Sequence, residues 1–346
     1  MISGLVTYCA RQSLTSFASS REELRLEGVD IHLVRFREIE AHSWPLALGR
    51  DLALLWRLLT GRWDFLLLNS GASLLVRPRL LHLCLTIARK RNIPTFLLWR
   101  NAAEKFGSIE KKVGRAMLAR SFARVTAKRV KHLAISNQTA REVERIVGCD
   151  PITNIHNCRR MPAEYLNIVE PKLPPVVLNM AGVSYRKAPD RFVSVAISVC
   201  ARNPDVLFRW VGGAAPAELQ QAIDDAGLSH RIAFIPHVDD PFSHMRDAYC
   251  LFLTSREEAF GLVLAEAMAC ARTVVSFAGT GAAEVPGDTG RVFGWDEEEA
   301  IVGYLDGMAR KPPAEMVNLE ARQRYDALYS PRAYAGHLAS VIKEHL

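Results

Sequence analysis

The sequence predicts an α/β protein built from two Rossmann-like, doubly wound units, and three observations carry that prediction. Short apolar runs alternate with amphipathic stretches along most of the 346 residues. The alternation breaks at a cluster of prolines near the middle of the chain and then restarts. A chain of this length with 49% hydrophobic side chains also exceeds the size at which one core usually divides into two.

In the first half, strands are expected at Leu5 to Cys9, Ile31 to Phe36, Phe65 to Leu68, Thr95 to Trp99 and His132 to Ile135. Helical patterns such as Leu52 to Leu59 and Leu80 to Lys90 separate them. Near-continuous apolar strands between helices indicate a parallel sheet covered on both faces. Pro162, Pro171, Pro174 and Pro175 then mark a segment without helical period. After it come strands at Val176 to Met180, Leu207 to Val211, Ile232 to Ile235, Leu251 to Thr254 and Thr273 to Phe277, with helices Arg191 to Cys200, Ala217 to Ala226 and Leu262 to Ala269 between them. Helical pattern returns at Leu319 to Leu328 and Tyr334 to Ile342. The expected domains are therefore 1–170, a linker 171–175, a second domain 176–328, and a terminal helix 329–346 that packs back on the first domain.

The formal charge of +7 indicates a basic surface, which commonly meets phosphates of nucleotides, nucleic acids or anionic lipids. No aromatic-interleaved basic motif or zinc spacing accompanies it, which argues against nucleic acid. The seven cysteines are scattered, without the paired spacings of zinc or redox motifs, and read as reduced structural residues. Met1 to Tyr8 lacks the basic and apolar regions of a signal peptide, and no apolar run reaches membrane-spanning length. A cytoplasmic protein, peripheral on the cytoplasmic membrane face, is expected.

The expected strand Leu251 to Thr254 runs through Ser255-Arg-Glu-Glu258 into a helix expected to start near Phe260. The amides of Phe260, Gly261 and Leu262 then point out of the helix N-terminus, where they and the helix dipole attract an anion such as a diphosphate. Glu258 and Glu266 flank that cradle, two helical turns apart, and ionised carboxylates accept strong hydrogen bonds from sugar hydroxyls. Acidic residues near a helix start are also common simply because they favour the dipole, so spacing alone leaves a plain helix start as the alternative.

The residues between the two glutamates add identity to that spacing. Glu258-Ala-Phe-Gly-Leu-Val-Leu-Ala-Glu266-Ala-Met-Ala269 resembles the E-x7-E signature of the retaining glycosyltransferases of family four. The likeness continues through Val274 to Gly279, Glu284-Val285 and Asp288 to Val292, and upstream through Leu178 to Lys187 and Asn203 to Gly213. It covers about Val176 to Val292 well and the N-terminal half faintly. The resemblance implies the GT-B fold, two Rossmann-like domains facing a central cleft. It also implies transfer of a sugar from a nucleotide diphosphate sugar, with retention. By the same resemblance Glu258 contacts the transferred sugar, Glu266 the ribose, and Lys187 the pyrophosphate, with Glu258 and Lys187 the catalytic pair. Arg186, Gly182, Gly212, Gly213, Phe260, Gly261, Leu262 and Val263 would complete the donor site, with His237 and Val238 where the family's backbone reads the base.

No Asp-x-Asp pair occurs in the chain, so no metal and no cofactor beyond the nucleotide sugar co-substrate is expected. Lys187, Arg186 and the helix terminus would supply the positive charge instead. The chain departs from the family pattern at Arg186-Lys187-Ala188, where R-K-G is usual, and at Ala269-Cys-Ala-Arg-Thr273, where A-C-G-x-P is usual. The N-terminal Gly-Gly loop and the histidine after the fourth strand are absent. Ser13 and Thr15 stand in the first place, Arg100 and Asn101 in the second, and these four are the acceptor-side guesses. From Lys105 to Lys131 basic residues crowd, with Lys112, Arg120, Arg124 and Lys128 on one helical face, which suits an anionic membrane carrying a lipid-linked acceptor. A role in cell-envelope polysaccharide or glycolipid assembly follows from that surface. The alternatives are a non-catalytic subunit supporting an active partner, or a nucleotide-sugar epimerase or phosphorylase on the same fold.

Overall fold

The computed structural model describes residues 1–8, 15–35, 44–69, 78–100, 130–147 and 153–346. It divides into two compact units, one of Met1–Arg160 with Ser330–Leu346 and one of Met161–Tyr329. The expected boundary at 170 thus lies inside the second unit. Side chains of that unit hold the segment before it: the guanidinium of Arg272 donates to the Val169 carbonyl and Arg322 Nη1 to the Leu166 carbonyl at 2.6 Å. Tyr165 donates to Asp240, and Lys172 pairs with Asp247 at 2.7 Å. Arg272 is fully buried, and two of its guanidinium nitrogens find no acceptor among the described residues. Burial pushes its pKa down to about 10.

The first unit is a six-stranded parallel sheet of β1 (Ile2–Tyr8), β2 (Val29–Arg35), β3 (Phe65–Asn69), β4 (Thr95–Trp99), β5 (Val130–Ala134) and β6 (Thr153–Asn154), in the order β2-β1-β3-β4-β5-β6. β3 and β4 are buried throughout, as central strands with both faces covered must be. On one face Leu5, Leu66, Leu68 and Trp99 pack with Leu54 and Leu58 of α2 (Trp44–Thr60) and Leu81 and Cys84 of α3 (Pro78–Lys90). α1 (Thr15–Leu26) packs against the last helix, where the Phe17 and Tyr334 rings meet edge to face at 5.8 Å. α4 (Asn137–Val147) links β5 to β6.

The second unit repeats the plan with β7 (Val176–Met180), β8 (Leu207–Val211), β9 (Ile232–Ile235), β10 (Cys250–Phe252), β11 (Thr273–Phe277) and β12 (Arg291–Phe293), ordered β12-β11-β10-β7-β8-β9 and parallel throughout. α5 (Pro189–Arg202), α6 (Ala217–Asp225), α7 (Pro241–Asp247), α8 (Leu262–Ala269), α9 (Glu298–Ala309) and α10 (Leu319–Leu328) complete it. α11 (Pro331–Lys343) returns to the first unit. Local chemistry starts several of these helices. Asp240 caps α7 by accepting the Phe242 amide at 3.1 Å, Asn318 caps α10 through Ala321, and Ser330 caps α11 through Ala333, with Pro241 and Pro331 at the first helical positions. The five described cysteines, Cys84, Cys158, Cys200, Cys250 and Cys270, are buried thiols. Burial pushes the Cys158 thiol up to about 12.

Candidate functional site

The site is assembled at the carboxyl ends of β7 and β10, where the chain leaves the sheet in two loops. After β7 a single turn of 3-10 helix, Tyr185–Lys187, ends at Ala188, which adopts left-handed backbone with φ 52°. An L-residue is strained there, which is the physical reason for glycine in the R-K-G pattern. The same holds at Ala271, φ 56°, between α8 and β11. Buried Asn179 on β7 donates to Thr254 Oγ1 at 3.0 Å, and Thr254 Oγ1 donates to the Lys187 carbonyl at 2.9 Å. The turn is thereby fastened to the end of β10.

Arg256 adds a second fastening. Its amide donates to the Arg186 carbonyl at 2.8 Å, and its Nη1 to the Tyr185 carbonyl at 2.8 Å and to Asp190 Oδ1 at 2.9 Å, while Nη2 pairs with Asp190 Oδ2. The guanidinium also lies over the Tyr185 ring, 4.3 Å from its centroid. The hydrogen bond from Arg256 holds the Asp190 carboxyl below its usual pKa. A depressed carboxyl stabilises the fold above its unfolded pKa, and that contribution disappears as pH falls through the lower folded value.

Across this joint the Lys187 ammonium donates to Glu258 Oε2, both side chains less than a fifth exposed. Glu258 is held in turn by its backbone, whose carbonyl accepts the Gly281 amide at 2.7 Å. A Cβ at Gly281 would sit 2.1 Å from the Ala259 carbonyl oxygen, so only glycine allows this approach. α8 begins at Leu262, as the expected helix Leu262 to Ala269 has it and two residues after the Phe260 of the cradle expectation. Gly261 is its N-cap with φ 80°, and no side chain caps the helix. The Phe260 side chain points into the core, its ring edge-on to Tyr329 at 5.6 Å, so only its backbone belongs to the loop. No side chain occupies the first-turn amides, as an anion cradle requires, although that of Leu264 donates to the Gly261 carbonyl at 2.9 Å.

The remaining expected residues divide. Gly212, φ 130°, packs on the loop after β7: a Cβ there would meet the Ala181 carbonyl oxygen at 2.4 Å. Gly213 abuts Val183, and Gly182 faces open space. Glu266 is 5% exposed, inside the unit. His237 is exposed and Val238 half-buried, just beyond the end of β9. In the first unit Arg100 follows β4, its Nε donating to Asn69 Oδ1 at 2.7 Å and its Nη1 to Asn157 Oδ1 at 2.9 Å. Thr15 opens α1. Ser13, Asn101, Lys112, Arg120, Arg124 and Lys128 lie outside the described residues. Reasoning from sequence missed Arg256, Asp190, Thr254 and Gly281, although Arg256 stands only two residues before Glu258.

Residues 167–325 match the family model described as glycosyl transferases group 1. A D-inositol 3-phosphate glycosyltransferase of Mycobacterium sp. (strain KMS) is 31% identical over 151 residues, 41% of this chain and 34% of that relative. The chain thus spans about a third of the length of the curated relatives it matches. Among solved structures, Anabaena HepE in complex with UDP and glucose is similar over 99% of this chain and 100% of its own, with a TM-score of 0.69 and 15% identity. A glycosyltransferase of Rickettsia africae reaches a TM-score of 0.73 at 16% identity, over 99% of this chain and 98% of its own. The chain has the two-unit GT-B fold of these proteins, and the group 1 match falls in its second unit, where Lys187, Glu258 and the start of α8 meet.

Proposed function

We propose that this chain is a glycosyltransferase that moves a sugar from a nucleotide diphosphate sugar to an acceptor, with retention at the anomeric carbon and without a metal ion. The observation that carries the reading is the Lys187–Glu258 pair beside the uncapped start of α8, inside the span that matches group 1 transferases. Departure of a nucleoside diphosphate builds negative charge on its bridging oxygen. A fixed ammonium and oriented amides stabilise that charge without reorganising. Lys187 pairs with Glu258; the donor's diphosphate takes over the ammonium, and Glu258 turns to the sugar hydroxyls. Glu266 receives the ribose once the donor is bound, and Arg186 adds a second cation. UDP bound to HepE supports a uridine or similar diphosphate donor.

The acceptor is placed at the carboxyl edge of the first sheet, around Thr15 and Arg100 with Ser13 and Asn101. A lipid-linked acceptor in envelope polysaccharide or glycolipid assembly, met at an anionic membrane on the cytoplasmic face through Lys112, Arg120, Arg124 and Lys128, completes the reading.

A thermal-shift series with nucleoside diphosphate sugars tests the donor site. The cognate donor at a hundredfold excess over its Kd adds about 2.7 kcal/mol of stability, and slow hydrolysis of that donor yields the nucleoside diphosphate at a rate that EDTA leaves unchanged. The anomeric configuration of the product, read by NMR, tests retention. Binding without turnover against any acceptor favours the supporting-subunit alternative, and absence of both binding and hydrolysis defeats the proposal.

The Arg256–Asp190 joint gives a second expectation. Arg256→Ala frees the turn that carries Lys187, and misplacement of a reacting group by about 1 Å costs on the order of 10²-fold. The transfer rate is expected to fall by up to that factor, with only partial recovery in Arg256→Lys, since an ammonium cannot make the paired contacts of a guanidinium. A fully active Arg256→Ala protein would show that Thr254 and the backbone amide of residue 256 fix the turn without the guanidinium.

A further inference from the structure

We infer that the outward face of α2 is a docking surface for an anionic membrane. α2 buries Leu54 and Leu58 against the first sheet and leaves Leu52, Trp56 and Leu59 exposed by 56, 66 and 55%. Their spacing, i, i+4 and i+7, places the three on one side of the helix. Leu83, on the adjoining helix α3, is exposed as well. Large apolar side chains gathered on one helix face are unusual on a surface that meets only water.

The surrounding charge identifies the occupant. Arg57, Arg62, Arg89 and Lys90, on these two helices and the turns after them, are exposed, and so is Arg91, whose Nη1 donates to the Leu58 and Gly61 carbonyls at 2.6 and 2.7 Å. The acidic residues of the same described stretches, 51–69 and 80–99, are Asp51, which is buried, and Asp64, whose carboxylate accepts the Ser3 amide at 2.7 Å. An apolar stripe carrying a tryptophan and edged by basic residues, with little opposing charge among the described residues, matches a helix lying in the interface of an anionic bilayer. There the leucines and the indole enter the headgroup boundary and the guanidinium groups meet lipid phosphates. A protein partner of this shape would need acidic residues around an apolar groove, which makes it the second choice.

This inference shares the membrane part of the function proposed above and is independent of sugar transfer. The test uses the full chain and reads binding alone. Co-sedimentation is measured with vesicles of equal parts phosphatidylglycerol and phosphatidylcholine, and with phosphatidylcholine alone. The wild type is expected to pellet with the anionic vesicles only. A Trp56→Ser/Leu59→Ser variant, whose exposed positions leave the fold intact by circular dichroism, is expected to bind them about tenfold more weakly or worse. Equal binding by this variant, with loss only on neutralising Lys112, Arg120, Arg124 and Lys128, overturns the α2 surface while leaving the membrane reading in place. No binding by the wild type overturns both. Conversion from dimer to monomer by the double substitution, seen in analytical ultracentrifugation, assigns the face to a second copy and equally overturns the inference.

Discussion

Lys187→Ala is expected to lower kcat for sugar transfer by roughly 10²- to 10³-fold, the loss typical of removing one preorganised group that faces developing charge. The effect should appear in kcat and in kcat/KM alike, because the diphosphate acquires its extra charge only as the glycosidic bond breaks. Folding should survive. The turn is held by the Thr254 hydroxyl on the Lys187 carbonyl and the Arg256 amide on the Arg186 carbonyl, neither of which involves the Lys187 side chain. Leaving Glu258 without its cation costs on the order of 1–3 kcal/mol. Lys187→Met, which keeps the aliphatic stem, separates charge from packing and should be as slow as the alanine variant. Initial rates over a range of donor concentrations decide the matter. A variant with unchanged kcat and a raised KM would reduce Lys187 to a donor anchor that does nothing for the leaving group.

What could be read in the sequence follows the range over which each signal acts. β4, β7, β8, β9 and β11 have the expected ends, because each is a short, mainly apolar run bounded by polar or turn residues. β6 and β12 escaped notice: they are two and three residues long, and Arg291 and Val292 of β12 are exposed at the sheet edge. α7 also escaped, although Asp240-Pro241 is a local start signal, since seven residues are too few to display a period. The domain boundary was drawn from prolines, and long-range contacts that the sequence does not display tie Arg272 to the Val169 carbonyl and Arg322 to the Leu166 carbonyl ahead of it. In the candidate site, the short path from Glu258 to the α8 start was legible because its residues are contiguous in sequence. The Arg256–Asp190 joint was not, because its members are distant in sequence and either alone reads as an ordinary surface charge.

The largest stability effect is expected from Phe192→Ala. Phe192 of α5 is fully buried among Phe208, Trp210, Phe234 and Phe252, with ring centroids 5.6, 5.4, 6.4 and 6.3 Å away. The neighbouring rings are anchored on β8, β9 and β10 and cannot collapse into the space. The indole of Trp210, for example, is fixed by its hydrogen bond to the Ala181 carbonyl at 2.8 Å and by stacking on Phe234. A rigid wall leaves the cavity open, and truncations of this kind cost about 3–5 kcal/mol. For a unit of this size the melting temperature should fall by roughly 6–20 °C. The loss is confined to the second unit, because the first has its own core around Leu66, Leu68 and Trp99. Differential scanning calorimetry should therefore resolve an early transition for the second unit ahead of the first. Because the Phe192 amide bonds the Ala188 carbonyl at 3.3 Å, the turn bearing Lys187 melts in that early transition. Stabilisation by a bound donor should then raise the early transition and leave the later one in place. A single transition within 2 °C of wild type would mean that the aromatic cluster closes over the missing ring, contrary to the rigidity its hydrogen bonds and stacking imply.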